Sequence, residues 1–264
     1  VAFSGSRSYC MEEPDKQVTG RERYFIITVG RSGSSLLSAI LADGGAQFGI
    51  RAPQQWDPRH GEMEGRAIKL AAHHYRRAYD ISLGRKYLLS PRIEEKLRLS
   101  IAKKHLKRAL IDSRFLKISD LDLVVQPSFK LGYVPKVILS YRQLELNLPS
   151  LLVGRTHVGP DQLAQEWNRI YRQGLSLLRT FGGCVVGYNE LQEPTSTAWS
   201  DSLAATTQLD QETLLDSRTA RLKGAIDPSD ARVIYPQAYA LFEEMRALSG
   251  VTVSPSRQVL RSTG

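Results

Sequence analysis

The chain has 264 residues, 42% of them hydrophobic and 24% charged, with a formal charge of +9 and an isoelectric point near 9.6. Those values suit an ordinary globular protein, exclude a low-hydropathy disordered chain, and allow one large α/β domain without requiring two. No apolar run approaches the ~20 residues that span a bilayer, and the two cysteines, Cys10 in a polar stretch and Cys184 in an apolar one, make no disulfide framework. A reducing, cytoplasmic setting without a transmembrane segment is therefore the expectation.

In chain order, residues 1–22 are polar and read as a loose leader, with a single domain over 23–264. The apolar run from Tyr24 to Val29 predicts a strand. It breaks at Gly30-Arg31-Ser32-Gly33-Ser34-Ser35 and resumes with helical spacing at Leu36, Leu37, Ile40 and Leu41. The following Pro/Gly/Arg-rich stretch, "GIRAPQQWDPRHGEMEGR", is long enough to be a functional loop. Helical, basic sequence then runs to about Ala109. Much of the positive excess lies between His73 and Arg114, where Leu97, Ile101 and Leu110 have core-like spacing amid lysines. That pattern predicts the solvated face of amphipathic helices, and no nucleic-acid motif accompanies it, so nucleic acid is not an expected partner. His73 and His74, inside this basic run, are expected to be surface or packing residues.

"RFLKI" (114–118) predicts a short strand, with Asp120 capping the helical segment after it. "PKVILSYR" (135–142) predicts a strand buried on both faces, because Val137, Ile138 and Leu139 are continuously apolar. "QLELNLPSLLVG" predicts a helix that Pro149 delays or kinks. A long amphipathic helix starts at Pro160-Asp161 and stops at Gly182-Gly183. "CVVGYNEL" (184–191) predicts another strand, and a final helix over 231–250 ends at Gly250. Strands alternating with helices predict a P-loop-like parallel sheet flanked by helices. Ligands in such sheets bind beyond the carboxyl ends of the strands, where Gly30 to Ser35, Arg142 and Tyr188 would lie.

The Gly/Ser turn has the chemistry of an oxyanion cradle. A helix N-terminus offers unpaired N–H groups and the positive end of its dipole. Glycines let those groups approach an anion, while Ser32, Ser34, Ser35 and the Arg31 guanidinium add donors. The Lys-Ser/Thr ending of a nucleoside-triphosphate loop is missing. A packing turn of small residues is the competing reading. Arg142 ends a strand and Ser150 follows eight positions later, a pair able to grip a second phosphate. Strand-end arginines and helical serines also occur for packing alone.

Taken together and in this order, "GRSGSSLLSAIL" and the Arg142/Ser150 pair resemble the sulfotransferases that use 3′-phosphoadenosine 5′-phosphosulfate (PAPS). Their first motif, P-[KR]-S-G-[ST]-[ST], holds the 5′-phosphosulfate, and Gly30 stands here where proline is commoner. Their second is an arginine with a serine eight residues later, on the 3′-phosphate. "DPRHGEMEG" resembles an "NP(K/R)GY(F/W)E" segment of bacterial members with one residue inserted, "FLKISD" resembles a "KDPR" segment at Lys117, and "GYNEL" is similar to a "YEDL" strand end whose tyrosine lies near adenine. The resemblance implies binding of PAPS by Gly30, Arg31, Ser32, Gly33, Ser34, Ser35, Arg142, Ser150 and Tyr188. It also implies in-line transfer of a sulfuryl group, without a metal, to a hydroxyl or amine of a small molecule such as a natural product or sugar. Arg31 would stabilise charge in the transfer, and Lys117 would approach the bridging oxygen.

The resemblance leaves three candidates for the base that takes the acceptor's proton: Glu64, which matches the final glutamate of that pattern, and its neighbours Glu62 and His60. Two further readings stay open, a nucleotide-dependent kinase with a degenerate loop and a nucleotide binder without catalysis. Arg221, Lys223 and Gly224 in "ARLKGAID" read as a basic helix end with a glycine stop. The acceptor's identity and the oligomeric state are not legible in the sequence.

Overall fold

The computed structural model describes residues 20–50, 63–82, 90–117, 121–154, 158–222 and 235–256. The chain runs β1 (Glu22–Ile27), α1 (Ser34–Asp43), α2 (Arg66–Ser82), α3 (Pro91–Asp112), β2 (Phe115–Lys117), α4 (Val125–Lys130), β3 (Val134–Tyr141) and α5 (Leu144–Gly154). It continues with α6 (Pro160–Phe181), β4 (Gly183–Gly187), α7 (Tyr188–Gln192), α8 (Ala198–Thr207), α9 (Gln211–Arg221), α10 (Pro236–Leu248) and β5 (Thr252–Val253). The sheet order is β2-β1-β3-β4-β5, parallel except for the last strand. The expected α/β architecture, a parallel sheet flanked by helices, is the one observed.

Alternate residues of each strand serve opposite layers, which is why the strands are apolar throughout. Phe25, Ile27, Val137, Leu139 and Val185 pack under α2, α3, α5, α6 and α10. Tyr24, Ile26, Ile138, Cys184 and Val186 pack under α1, α8 and α9. Cys184 is thus a fully buried core residue. The Arg23 side chain, also buried, donates from Nε to the Leu110 carbonyl at 2.6 Å and lies 4.7 Å from the Tyr133 ring centroid. This ties α3 to the start of β1.

Several boundaries differ from the sequence expectation, each for a local reason. β1 ends at Ile27, before Val29, because the Val29 amide turns to the Tyr171 hydroxyl and Thr28 Oγ1 donates to the Val29 carbonyl. The strand expected over 184–191 stops at Gly187, where its partner β3 ends at Tyr141, and Tyr188 instead opens α7. α5 runs through Pro149 from Leu144. The backbone bond that this proline cannot donate would have gone to Glu145, within the first turn. Leu97 is 51% exposed, contrary to its core-like spacing, whereas Ile101 is half-buried and Leu110 buried. α3 turns Ala102, Leu106, Ala109 and Leu110 inward, and small residues such as Ala71, Ala72 and Ala102 are among those buried where α2 and α3 pack. His73 is exposed, and His74 stacks near-parallel on His105 with centroids 6.2 Å apart, a packing role as expected. Residues 1–19, Asp120, 223–224 and 231–234 lie outside the described residues.

At Gly183, β4 passes close to β3. Its φ is +140°, and a methyl group there would lie 1.8 Å from the Val137 carbonyl oxygen. Gly183→Ala is expected to destabilise the fold by about 3 kcal/mol, as overpacking and backbone strain combine. Urea unfolding of the two proteins measures the difference, and an unchanged midpoint would contradict this register.

Candidate functional site

The loop between β1 and α1 is built on two left-handed residues, Arg31 at φ 66° and Gly33 at φ 84°, with Ser32 between them. Alternation of this kind turns successive amides to one side of the chain, forming a concavity that suits an anion. Glycine accepts the conformation freely, whereas an arginine there carries a cost of about 1 kcal/mol that neighbouring contacts must offset.

Those contacts come from α5. Asn147 is fully buried, and its amide, oriented with Nδ2 toward the loop, donates to the carbonyls of Gly30 at 3.2 Å and Arg31 at 3.0 Å. Three residues on, Ser150 Oγ accepts from Arg31 Nε at 3.0 Å. One helix therefore holds the loop by its backbone and its cation together. From below, the buried hydroxyls of Ser32 and Thr28 hydrogen-bond to each other, so the Ser32 hydroxyl is engaged inside the loop. The Tyr171 hydroxyl, on α6, donates to the Ser140 carbonyl at 2.9 Å and lies 3.5 Å from the Val29 amide. It bridges the ends of β1 and β3. Burial pushes the Tyr171 phenol up to about 12, so it remains a donor at neutral pH.

At the mouth of α1, Lys117 at the end of β2 donates from Nζ to Ser35 Oγ at 3.2 Å. This lysine is 4% exposed, and Ser34, next to Ser35 in the chain, is buried as well. On the other side, the Arg142 guanidinium lies 4.7 Å from the centroid of the Tyr188 ring. The same ring meets the loop: a methyl group on Gly33 would sit 1.9 Å from Tyr188 Cδ2. Burial lowers the Arg142 pKa from its ordinary value, partly opposed by Tyr188. Arg142 Nε has no hydrogen-bond partner among the described residues.

The sequence-selected residues thus converge. Gly30, Arg31, Ser32, Gly33, Ser34 and Ser35 form the loop, Lys117 and Ser150 bond to it, and Tyr188 touches both the loop and Arg142. Glu64 lies just before α2, where the Arg66 amide bonds to the Ile50 carbonyl, and its carboxylate is 3.6 Å from Lys69 Nζ. His60 and Glu62 lie outside the described residues. Asn147, Tyr171 and Thr28 were not selected from the sequence. A signal for Asn147 was present, as the one amide in the apolar run "LELNLPSLL", one helical turn before Ser150. Arg221, at the end of α9, pairs with Asp43 at 2.7 Å, in keeping with a basic helix end. Among the described residues, no group of three or more His, Cys, Asp or Glu is arranged to hold a metal, and no helix is long and apolar enough to cross a membrane.

No family model matches the chain, and no curated protein matches it. Solved structures similar to it include the sulfotransferase domain from the Synechococcus PCC 7002 olefin synthase, at 18% identity and a TM-score of 0.47, over 96% of each chain. Another is the sulfotransferase domain from the curacin biosynthetic pathway, at 13% identity and a TM-score of 0.48, over 88% of this chain and 99% of that one.

Asn147→Asp replaces the donor to two loop carbonyls with an acceptor of the same shape. It is expected to cost more than about 2 kcal/mol, since buried acceptors would face each other unpaired. Thermal unfolding at pH 7 provides the check, and a wild-type melting temperature would mean that the amide does not clamp the loop.

Proposed function

We propose that the protein is a PAPS-dependent sulfotransferase that sulfates a hydroxyl or amine of a small-molecule acceptor. The observation that carries this reading is that Arg31 Nε of the loop donates to Ser150, the serine eight positions after Arg142. The residues fit the co-substrate. Arg142 has a half-buried guanidinium whose Nε awaits an acceptor, and the loop amides form a concavity with Lys117 at its edge.

When bound, PAPS supplies an activated sulfuryl group with a phosphate as its leaving group. Gly30, Arg31, Ser32, Gly33, Ser34 and Ser35 would hold the 5′ end through backbone amides, the Arg31 guanidinium and the outward hydroxyls. Lys117 would hold positive charge near the bridging oxygen, where negative charge develops. Arg142 and Ser150 would hold the 3′-phosphate, and Tyr188 would lie on the nucleotide's base side. In-line transfer resembles phosphoryl transfer in needing position and electrostatic stabilisation more than covalent chemistry. Glu64 would take the acceptor's proton on its carboxylate, with Glu62 and His60 as the other candidates on the same segment.

Thermal-shift titration tests the reading. Adenosine 3′,5′-bisphosphate without Mg²⁺ is expected to raise the melting temperature and ATP-Mg²⁺ to leave it unchanged; the reverse pattern would favour a kinase and sink the proposal. Arg142→Ala is expected to abolish the shift. Glu64→Ala is expected to keep it while turnover of radiolabelled PAPS falls about 10²- to 10⁴-fold. An active Glu64→Ala enzyme would move the base to Glu62 or His60.

A further inference from the structure

α3 carries a face that neither the core nor the proposed nucleotide site uses. Ile93, Lys96, Leu97, Lys104, Lys107 and Ile111 recur at helical spacing, within about 60° of one line along its surface. Ala102, Leu106 and Ala109 occupy the opposite side and are buried. The outward residues are open to solvent: Ile93 is 62% exposed, Leu97 51% and Ile111 48%, and the three lysines are exposed with them. Lys96, Lys104 and Lys107 make no ion pair among the described residues. The carboxylates of α3 lie off this stripe. Glu94 pairs back to Arg98, Asp112 pairs with Arg108, and Glu95 faces a cleft beside Tyr75 and Tyr79 of α2.

We infer that the outer face of α3 docks on an anionic bilayer surface, with its lysines on lipid headgroups and Ile93, Leu97 and Ile111 at the headgroup–acyl boundary. The inference is independent of the nucleotide site and departs from the expectation of a merely solvated basic face. Charge complementarity carries it: three unpaired lysines in a stripe without a carboxylate match a surface of anionic headgroups. The form agrees, since the apolar side chains extend over about 27 Å of straight helix, which a flat surface meets at once. Lysine stems lie along an apolar boundary while their ammonium groups stay among water and headgroup oxygens. Composition sets other occupants aside. Protein interfaces are enriched in aromatic residues and arginine and depleted of lysine, the reverse of this stripe. A second copy would set lysines against lysines. A single-stranded nucleic acid would call for aromatic residues among the cations, and here Ile and Leu stand between them.

Vesicle co-sedimentation tests the inference, using phosphatidylcholine alone and phosphatidylcholine mixed with phosphatidylserine. The full chain is expected to bind the mixed vesicles at least about tenfold more tightly, since each lysine near an anionic surface contributes about fivefold. Binding is expected to fade as salt approaches about 1 M, where the Debye length is about 3 Å. Lys104→Glu/Lys107→Glu is expected to weaken binding by at least about tenfold. Ile93→Ser/Leu97→Ser is expected to weaken it by about tenfold. All four positions are exposed, so melting curves by circular dichroism are expected to stay close to the wild type. Equal binding to the two vesicle types, or binding that both variants leave unchanged, would overturn the inference. So would loss in the lysine variant alone, which would make the face a general anion binder. A solution dimer that the variants dissociate would assign the face to a second copy and overturn it too. None of these results bears on the sulfotransferase reading, which fails separately if adenosine 3′,5′-bisphosphate gives no thermal shift.

Discussion

Asn147 holds a strained loop in place, and the candidate site depends on that clamp. Two residues of the loop adopt left-handed backbone, Arg31 at φ 66° and Gly33 at φ 84°, so amides turn to one side and carbonyls to the other. The carbonyls of Gly30 and Arg31 would be poorly satisfied in a buried setting without a donor beneath them. The Asn147 amide supplies two hydrogen bonds, and it can do so because α5 packs directly under the loop with Leu151 3.8 Å from where a methyl group on Gly30 would lie. The outward amides are then available for an anion. A conformation costing about 1 kcal/mol at Arg31 is maintained by contacts that stabilise it by more.

The remaining geometry follows from a parallel sheet. β1, β2, β3 and β4 run the same way, so their carboxyl ends bring the loop, Lys117, Arg142 and Tyr188 to one edge. Tyr171 locks the ends of the two central strands together through the Ser140 carbonyl, two residues before Arg142. Tyr188 then closes the arrangement by touching both Gly33 and Arg142. The spacing of the loop and Arg142 is thus set by the sheet backbone and buried side chains.

The fold was legible because burial on both faces leaves a continuous apolar signature in β1 and β3, and because Pro160 and Gly182-Gly183 punctuate α6. The turn between β1 and α1 was legible because loop chemistry is local: glycines, serines and arginines declare themselves at short spacing. Residues acting across the fold were not. Tyr171 looks like one more aromatic on the apolar face of α6, and only the sheet brings its hydroxyl beneath the loop, 142 positions from Val29. The end of β4 was misjudged for a related reason, since a strand stops where its neighbour stops, and the sequence of one strand does not show its partner's length. The direction of the Arg31 side chain depends on the sign of φ at a non-glycine residue, for which no sequence pattern gives notice.

A crystal structure with adenosine 3′,5′-bisphosphate tests the central claim most directly, that one sheet edge carries two separate phosphate sites joined through Arg31 and Ser150. The account predicts the 5′-phosphate on the amides of Gly33 to Ser35 beside Lys117, and the 3′-phosphate on Arg142 and Ser150. A nucleotide bound away from the loop, or lying with its 3′-phosphate on the amides of α1, would contradict it.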